Sequence, residues 1–181
     1  MYDDVVNMVL GLGWWNAEAK GEVVTIEADE QLWRSYRAAC GELGRARAAL
    51  MTNAVDLHAI IGAAIGSIAD RACALSLILS LPPGDGRPHL PQLIALASAG
   101  ETDMQLVRDV VVRLKSVVPL DEIQQLVEPI LLLGGEEEFL RIAELYERLD
   151  GTLLAAHLQR CAAHPDVGIR DVVGNFPGVP F

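Results

Sequence analysis

A short motif recurs along the C-terminal half of the chain. The stretch VRDVV at Val107–Val111 returns as IRDVV at Ile169–Val173, and a weaker copy, LRIA, lies at Leu140–Ala143. The arginines of the three copies are separated by 33 and then 29 residues. A period of this length is typical of repeated pairs of helices. The spacing therefore predicts an all-α fold of stacked antiparallel helical pairs, in which each pair completes the core of its neighbours.

The third copy and the residues before it carry a family resemblance. The segment His164–Val173 resembles the second helix of a HEAT repeat, of the armadillo-type helical-repeat family: Pro-Asp at the turn, then a β-branched residue and an arginine. The resemblance covers about residues 90–176 and implies a HEAT-like superhelix there. Two departures are Val110 and Val172, which stand where the family often has alanine, and the first half shows no copy of the motif.

The aspartates and arginines of the motif also have a physical role apart from the family. An aspartate at the turn before a helix can accept hydrogen bonds from first-turn amides, so we expect Asp103 and Asp166 to act as caps. An arginine early in such a helix can reach an aspartate of an adjoining pair. Arg108, Arg141 and Arg170 are therefore the predicted structural repeat residues. The alternative is that the arginines are exposed and that the match is accidental in a Val-rich sequence.

Composition and charge restrict the classes of partner that we expect this chain to bind. The chain has 51% hydrophobic and 22% charged residues, which indicates a folded globular protein. Its net charge of -11 argues against nucleic acid and against an anionic membrane, both of which require a basic face. Residues 1–36 carry -5, residues 37–100 carry +1 and residues 101–181 carry -7. The acidic flanks suit a basic protein partner, although a merely solvated surface gives the same pattern.

The 181 residues predict a single domain in three parts. Residues 1–81 form an N-terminal cap and long helices, residues 82–91 a Pro/Gly loop, and residues 92–181 the HEAT-like repeats. Four of the nine prolines lie between Pro82 and Pro91, so we expect no regular element there and a solvent-facing His89. The N-terminal cap is atypical. It contains a β-branched stretch, 22–26, that predicts a short β-hairpin with Trp14–Trp15.

The apolar stretch Ala59–Leu81 predicts one long buried helix. Asp70 and Arg71 divide it into apolar runs of eleven and ten residues, too short to span a bilayer. An aspartate within such a helix needs water, a cap or an arginine, so an ion pair is the plainer interpretation. The alternative is a small-ligand-binding protein or enzyme with an apolar pocket around Asp70, Arg71 and Cys73.

No catalytic, metal or cofactor signature stands out in the sequence. Cys161, His164 and Asp166 could be proposed as a thiol or metal site, but a buried cysteine and a histidine at a helix end explain them more simply. Three unpaired cysteines and an acidic start, where a signal peptide would be basic, lead us to expect a reduced, cytoplasmic protein. We predict no catalytic residues, no metal and no cofactor.

The aromatic residues give the best indication of a binding site. Tyr2, Trp14, Trp15, Trp33 and Tyr36 are five of the nine aromatics and all lie in the first 36 residues. Such side chains anchor interfaces, but a small core that caps the end of a helical stack is the plainer interpretation. A third alternative is a homodimer with Trp14 and Trp15 in the contact.

These features predict a non-enzymatic protein-binding module. An adaptor, an inhibitor or an immunity-type protein would use an acidic helical-repeat surface in this way, toward a basic partner. The predicted binding residues are Trp14, Trp15, Trp33 and Tyr36.

Overall fold

The computed structural model describes residues 26–100 and 102–180 and is all-α across these two ranges, with no strand in them. The prediction of an all-α fold is therefore confirmed. The β-hairpin considered for Trp14–Trp15 and residues 22–26 lies outside the described residues, apart from Ile26, at which a helix begins.

The chain divides into two compact units, residues 1–48 and residues 49–181. The first helix, α1 (Ile26–Asn53), begins in the first unit and ends in the second. The remaining described helices all belong to the second unit. They are α2 (Leu57–Gly66), α3 (Arg71–Ser80), α4 (Pro83–Gly86), a 3-10 turn (Arg87–His89), α5 (Leu90–Ser98), α6 (Met104–Leu114), α7 (Leu120–Leu133), α8 (Glu136–Leu149), α9 (Gly151–Ala162), α10 (Val167–Asp171) and a second 3-10 turn (Val172–Asn175).

The single helix predicted over residues 59–81 is instead two helices. The first ends at Gly66, after which Ser67 has an extended backbone. The Ser67 hydroxyl donates to the Asp70 carboxylate at 2.9 Å, and the Arg71 side chain donates from Nε to the carbonyl of Ile65, also at 2.9 Å. These two bonds close a tight turn, so α2 and α3 pack against each other as a helical pair.

The loop predicted at residues 82–91 is also wrong, because this segment is almost entirely helical. Pro83 lies in the first turn of α4, Pro88 in that of the 3-10 turn, and Pro91 in that of α5. First-turn amides have no partner within their own helix, so proline costs little at these positions. His89 is consequently buried, contrary to the expectation that it faces solvent.

Gly86 lies where α4 touches its neighbours most closely. A Cβ added there would come within 2.9 Å of both Ile78 and Leu114, whereas a Cβ at Gly84 would meet nothing within 4 Å. We therefore expect Gly86→Ala to lower the free energy of unfolding by about 1–3 kcal/mol through overpacking. Gly84→Ala, the matched control in the same short helix, is expected to change it by less than about 0.5 kcal/mol. Urea denaturation of both variants checks this, and equal effects would contradict it.

The second unit has one continuous core formed by successive helical pairs. α5 packs on α6 and α8 on α9, while α3 contacts α6 and both α5 and α6 contact α8. α7 packs on α5 and α8. The largest fully enclosed side chains come from every layer: Ile61, Ile65, Leu75, Ile78, Leu81, Leu90, Leu93, Ile94, Leu114, Ile123, Phe139 and Ile142.

Aspartates cap several of these helices, though not all that were predicted to do so. Asp166 accepts from the amide of Gly168 at 2.8 Å and so caps α10, as expected. Asp103 precedes α6 but makes no side-chain cap bond; its φ of 68° places it in the left-handed region. That conformation is compatible with aspartate, which tolerates it better than most residues. Asp56 and Asp150 also cap helices, α2 and α9 respectively.

Candidate interaction surfaces

The three motif arginines make three different kinds of contact. Arg108 of α6 is buried and pairs with Glu144 of α8. Arg141, on α8 itself, lies 3.2 Å from both oxygens of the same carboxylate. Arg170 is exposed and donates to the carbonyls of His164 and Pro165, at 2.8 and 2.7 Å. Glu144 thus joins two of the motif arginines, and Arg170 stabilises the turn before its own helix.

The arginines therefore do not occupy equivalent sites in successive pairs. α6 is the second helix of its pair, α8 is the first of the next, and α10 has only five residues. The expectation that each arginine reaches an aspartate of an adjoining repeat is wrong for these contacts, because the partners are a glutamate and backbone carbonyls. Sequence reasoning missed Glu144, since it lies 36 residues from Arg108 with no local pattern to connect them.

All the cationic side chains of the second unit are engaged within the protein. Residues 49–181 carry seventeen acidic and nine basic side chains, a net charge of -8. Each of the nine contacts a carboxylate or a backbone carbonyl: Arg71, Arg87, Arg108, Arg113, Lys115, Arg141, Arg148, Arg160 and Arg170. The excess charge that this unit presents to a partner is consequently negative.

Acidic and large apolar side chains are exposed together where α7 leads into α8. Leu132 and Leu133, the last residues of α7, are 74% and 93% exposed, and exposed Glu136 and Glu137 begin α8 directly after Gly134-Gly135. The start of α10 lies beside them, because a Cβ at Gly168 would come within 2.6 Å of the Glu136 carboxylate. Exposed Val167 adjoins that glycine. We call Leu132, Leu133, Glu136, Glu137 and Val167 the acidic end.

Two of the four predicted aromatic binding residues lie side by side on α1. The rings of Trp33 and Tyr36 are stacked with centroids 5.5 Å apart, and the residues are 58% and 61% exposed. With Asp29 and Leu32 they line an open depression of about 430 Å³. In the first unit these rings face solvent and do not form a buried core. Trp14 and Trp15 lie outside the described residues.

The polar residues of the alternative pocket do not converge. Asp70 and Cys73 are exposed, whereas Arg71 is buried and donates to the carbonyl of Ile65. The carboxylate of Asp70 lies at the turn between α2 and α3, not within a long apolar helix. The helix that was to line the pocket is divided at this turn, so these three side chains do not share an enclosed space.

An aromatic and histidine cluster lies inside the last helical pair. The ring of Phe139 stacks on that of His157 at 5.6 Å, and Tyr146 meets the same imidazole edge-on. Nε2 of His157 donates to the carbonyl of Phe139 at 2.9 Å. Burial raises the pKa of Tyr146 to about 12, so its phenol stays protonated at neutral pH.

The thiol or metal site considered around Cys161 has a different geometry. Cys161 is buried, and this burial raises the pKa of its thiol to about 11, which removes its thiolate at neutral pH. His164 packs against Phe139, and its Nδ1 accepts from the amide of Asp166 at 3.1 Å. Across residues 26–100 and 102–180, no three His, Cys, Asp or Glu side chains are grouped to hold a metal ion.

A pair of histidines joins α2 to the proline-rich segment. Nδ1 of exposed His58 lies 3.4 Å from Nε2 of buried His89. Burial lowers the pKa of His89, and the neighbouring His58 lowers it further. No pattern in the sequence indicates this contact, since it depends on the helical form of residues 83–91.

Acidification is expected to destabilise the protein through its buried histidines. Burial is the main cause of the lowered pKa of His157, and the positive charge of Arg160 lowers it further. The hydrogen bond to the Phe139 carbonyl and the negative charge of Glu128 raise this pKa and so oppose the shift. The unfolded chain therefore binds this proton more readily, and the free energy of unfolding falls as the pH drops through about 6.5 toward the lower folded pKa.

The effect is measured by urea denaturation between pH 7.5 and 5.5. We expect a loss of up to about 1 kcal/mol for each buried histidine over this range. His157→Gln removes one titrating group, so its pH slope is expected to be shallower than that of the wild type. An unchanged slope in the variant would contradict the assignment to His157.

Comparison of the chain with protein-family models, with curated proteins and with solved structures finds no match. The function therefore has to be argued from the surfaces themselves. In the part of the chain that the structure describes, no helix is both long and apolar enough to cross a membrane.

Proposed function

We propose that the chain is a non-enzymatic protein-binding module that docks a basic partner on its acidic end. The observation that supports this is the internal engagement of all nine cations of residues 49–181, which leaves the excess carboxylates of the unit to face a partner. An adaptor, an inhibitor or an immunity-type protein would each use such a surface.

The two kinds of side chain in the acidic end have different roles in this proposal. Glu136 and Glu137 attract a basic partner and speed its association, because charge complementarity acts mainly on the rate of encounter. Leu132, Leu133 and Val167 supply the apolar area whose burial slows dissociation. The occupant that fits both is an amphipathic helix with Lys or Arg beside its apolar residues.

We also propose that the helical pairs of the second unit form a short HEAT-like stack. The support is that the pairs α2–α3, α5–α6 and α8–α9 follow one another along the chain and contact in that order. The arginine motif no longer contributes to this proposal, since its copies occupy unlike positions. A reduced, cytoplasmic location stays a proposal that the three free cysteines favour, and self-association through Trp14 and Trp15 stays a prediction.

A designed peptide tests the acidic end directly. The probe is an amphipathic helical peptide with Lys residues beside its Leu face, and its control is the same peptide with Glu in place of Lys. We expect the Lys peptide alone to bind by fluorescence anisotropy, with an affinity that falls as salt is raised. The combined variant Leu133→Ser, Glu136→Lys is expected to weaken binding at least about tenfold, a difference of about 1.4 kcal/mol.

The matched control is Asp85→Lys, which changes an exposed carboxylate on α4 by the same charge. This variant is expected to bind the Lys peptide nearly as the wild type does. Equal losses in both variants would mean that only the net charge matters, and the acidic end would then not be the docking site. Binding that ignores salt would remove the electrostatic part of the proposal.

A further inference from the structure

The described part of α1 in the first unit carries an apolar seam. Leu32, Tyr36, Ala39, Leu43 and Ala46 follow one another at steps of four, three, four and three residues. This alternation is the a/d pattern of a helix that pairs with another helix through one face. We call these five residues the α1 seam.

The α1 seam is exposed along its whole length. Leu32, Tyr36 and Leu43 are each more than half exposed, and every side chain from residue 28 to residue 46 faces solvent. Trp33, at the edge of the seam, is also more than half exposed. A contiguous line of large apolar side chains on a surface is typical of an interaction site.

Two glycines weaken this helix as a solitary helix in water. Gly41 and Gly44 lie within it, and glycine is the poorest helix former after proline. Helical stability in proteins comes mostly from packing of an apolar face and not from propensity. A surface helix with two glycines and an open seam is therefore expected to be covered by a partner.

The charges along α1 indicate which partner fits. Its first part, residues 26–36, has three acidic residues and one basic residue, and its remainder, residues 37–53, has one acidic residue and three basic residues. The two parts thus carry -2 and +2. The residues concerned are Glu27, Asp29, Glu30 and Arg34, then Arg37, Glu42, Arg45 and Arg47.

We propose that the α1 seam pairs with the α1 seam of a second copy of this chain in antiparallel orientation. That orientation places the acidic part of each helix against the basic part of the other, whereas a parallel pair would bring like charges together. An enclosed Trp or Tyr buries roughly 150–250 Å². Trp33 and Tyr36 of both copies supply four such rings. Together with the leucines of the two seams, they bring the buried area near the roughly 1,000 Å² that a specific interface needs.

The self-pairing surface is separate from the acidic end and does not rest on its function. Its failure would leave the proposed docking of a basic partner intact, and the peptide experiment would still decide that point. If both hold, each dimer carries two acidic ends. Such a dimer would bind a partner with repeated basic segments more tightly than one that has a single segment.

Two alanines nine residues apart provide a matched pair of variants. Ala39 lies in the α1 seam, and Ala48 lies on the opposite face because nine residues make two and a half turns; both are exposed. Sedimentation velocity of the full chain over a range of concentrations is expected to show a reversible dimer for the wild type and for Ala48→Glu. Ala39→Glu is expected to raise the dimer dissociation constant at least tenfold.

Circular dichroism keeps the comparison interpretable, since both variants should retain the helical content of the folded monomer. A wild type that stays monomeric at every concentration would overturn the proposal and would indicate that residues 1–25 or another protein cover the seam. Equal dimerisation of Ala39→Glu and Ala48→Glu would also overturn it, because self-association would then use a different surface.

A charge swap tests the orientation. Arg45→Glu with Arg47→Glu is expected to weaken an antiparallel dimer, and adding Asp29→Arg with Glu30→Arg is expected to restore it. A parallel dimer would be little affected by the first pair of substitutions, because the like charges at its basic part would only change from +2 to -2 on each helix. A dimer that Arg45→Glu with Arg47→Glu leaves unchanged would therefore contradict the antiparallel arrangement.

Discussion

Replacing Phe139 with alanine is expected to lower the free energy of unfolding by about 3–5 kcal/mol. The side chain is almost completely buried and stacks on His157, and the ring of His164 lies 5.3 Å away on a tilted plane. The guanidinium of Arg160 lies 5.8 Å from the centre of the ring. Truncation would leave a cavity where α8, α9 and the turn before α10 meet, and the dispersion contacts of three neighbouring groups would be lost.

Urea denaturation of Phe139→Ala, Phe139→Leu and Leu133→Ala measures this effect with its controls. Leu133 has 93% of its surface in solvent, so its truncation is expected to change the free energy of unfolding by less than about 0.5 kcal/mol. Phe139→Leu keeps much of the buried volume and is expected to fall between the two. A small effect of Phe139→Ala would mean that the last helical pair does not depend on this cluster.

Removal of Glu144 is expected to be almost as costly, by about 2–4 kcal/mol for Glu144→Ala. Removing one partner of a buried ion pair typically costs about 3–5 kcal/mol, because it leaves an uncompensated charge. The side chain of Glu144 is 27% exposed, so water relieves part of this cost. Nε of Arg108 and Nε of Arg141 have no hydrogen-bond partner among the described residues, so the lost carboxylate leaves both groups poorly satisfied.

A double substitution separates the cost of the charge from that of the packing. Arg108→Met with Glu144→Leu replaces both partners by apolar groups and is expected to be less destabilising than Glu144→Ala alone. Glu147→Ala, on the same helix at an exposed position, is the control and is expected to have little effect. Equal stability of the Glu144→Ala and Glu147→Ala variants would show that the pairing across α6 and α8 contributes nothing.

The helical class of the fold was predictable, because apolar periodicity and repeat length depend only on local spacing. The division of residues 59–81 was not. It depends on bonds such as that of the Arg71 side chain to the Ile65 carbonyl, which hydropathy does not encode.

The prolines between Pro82 and Pro91 led to a wrong prediction of a loop for a similar reason. Their number suggested a loop, whereas their positions in successive first turns are compatible with helix.

The candidate surfaces were predictable only in part. The clustering of aromatics identified Trp33 and Tyr36, and the structure places both on one exposed face. Leu132 and Leu133 were not among the predicted binding residues, because a sequence does not indicate where an amphipathic helix leaves its neighbours. The prediction that the motif arginines occupy equivalent sites was wrong. A match of five residues does not indicate whether the arginine lies on the first or the second helix of a pair.

The internal engagement of the cations has a consequence for ligands of the opposite sign. A phosphorylated molecule that approached residues 49–181 would meet cationic groups that already share their charge with a carboxylate or a backbone carbonyl. We therefore expect weak binding of polyanions by this unit, because its cations are engaged as well as because of its overall charge. This weak binding would persist at salt concentrations that screen long-range repulsion.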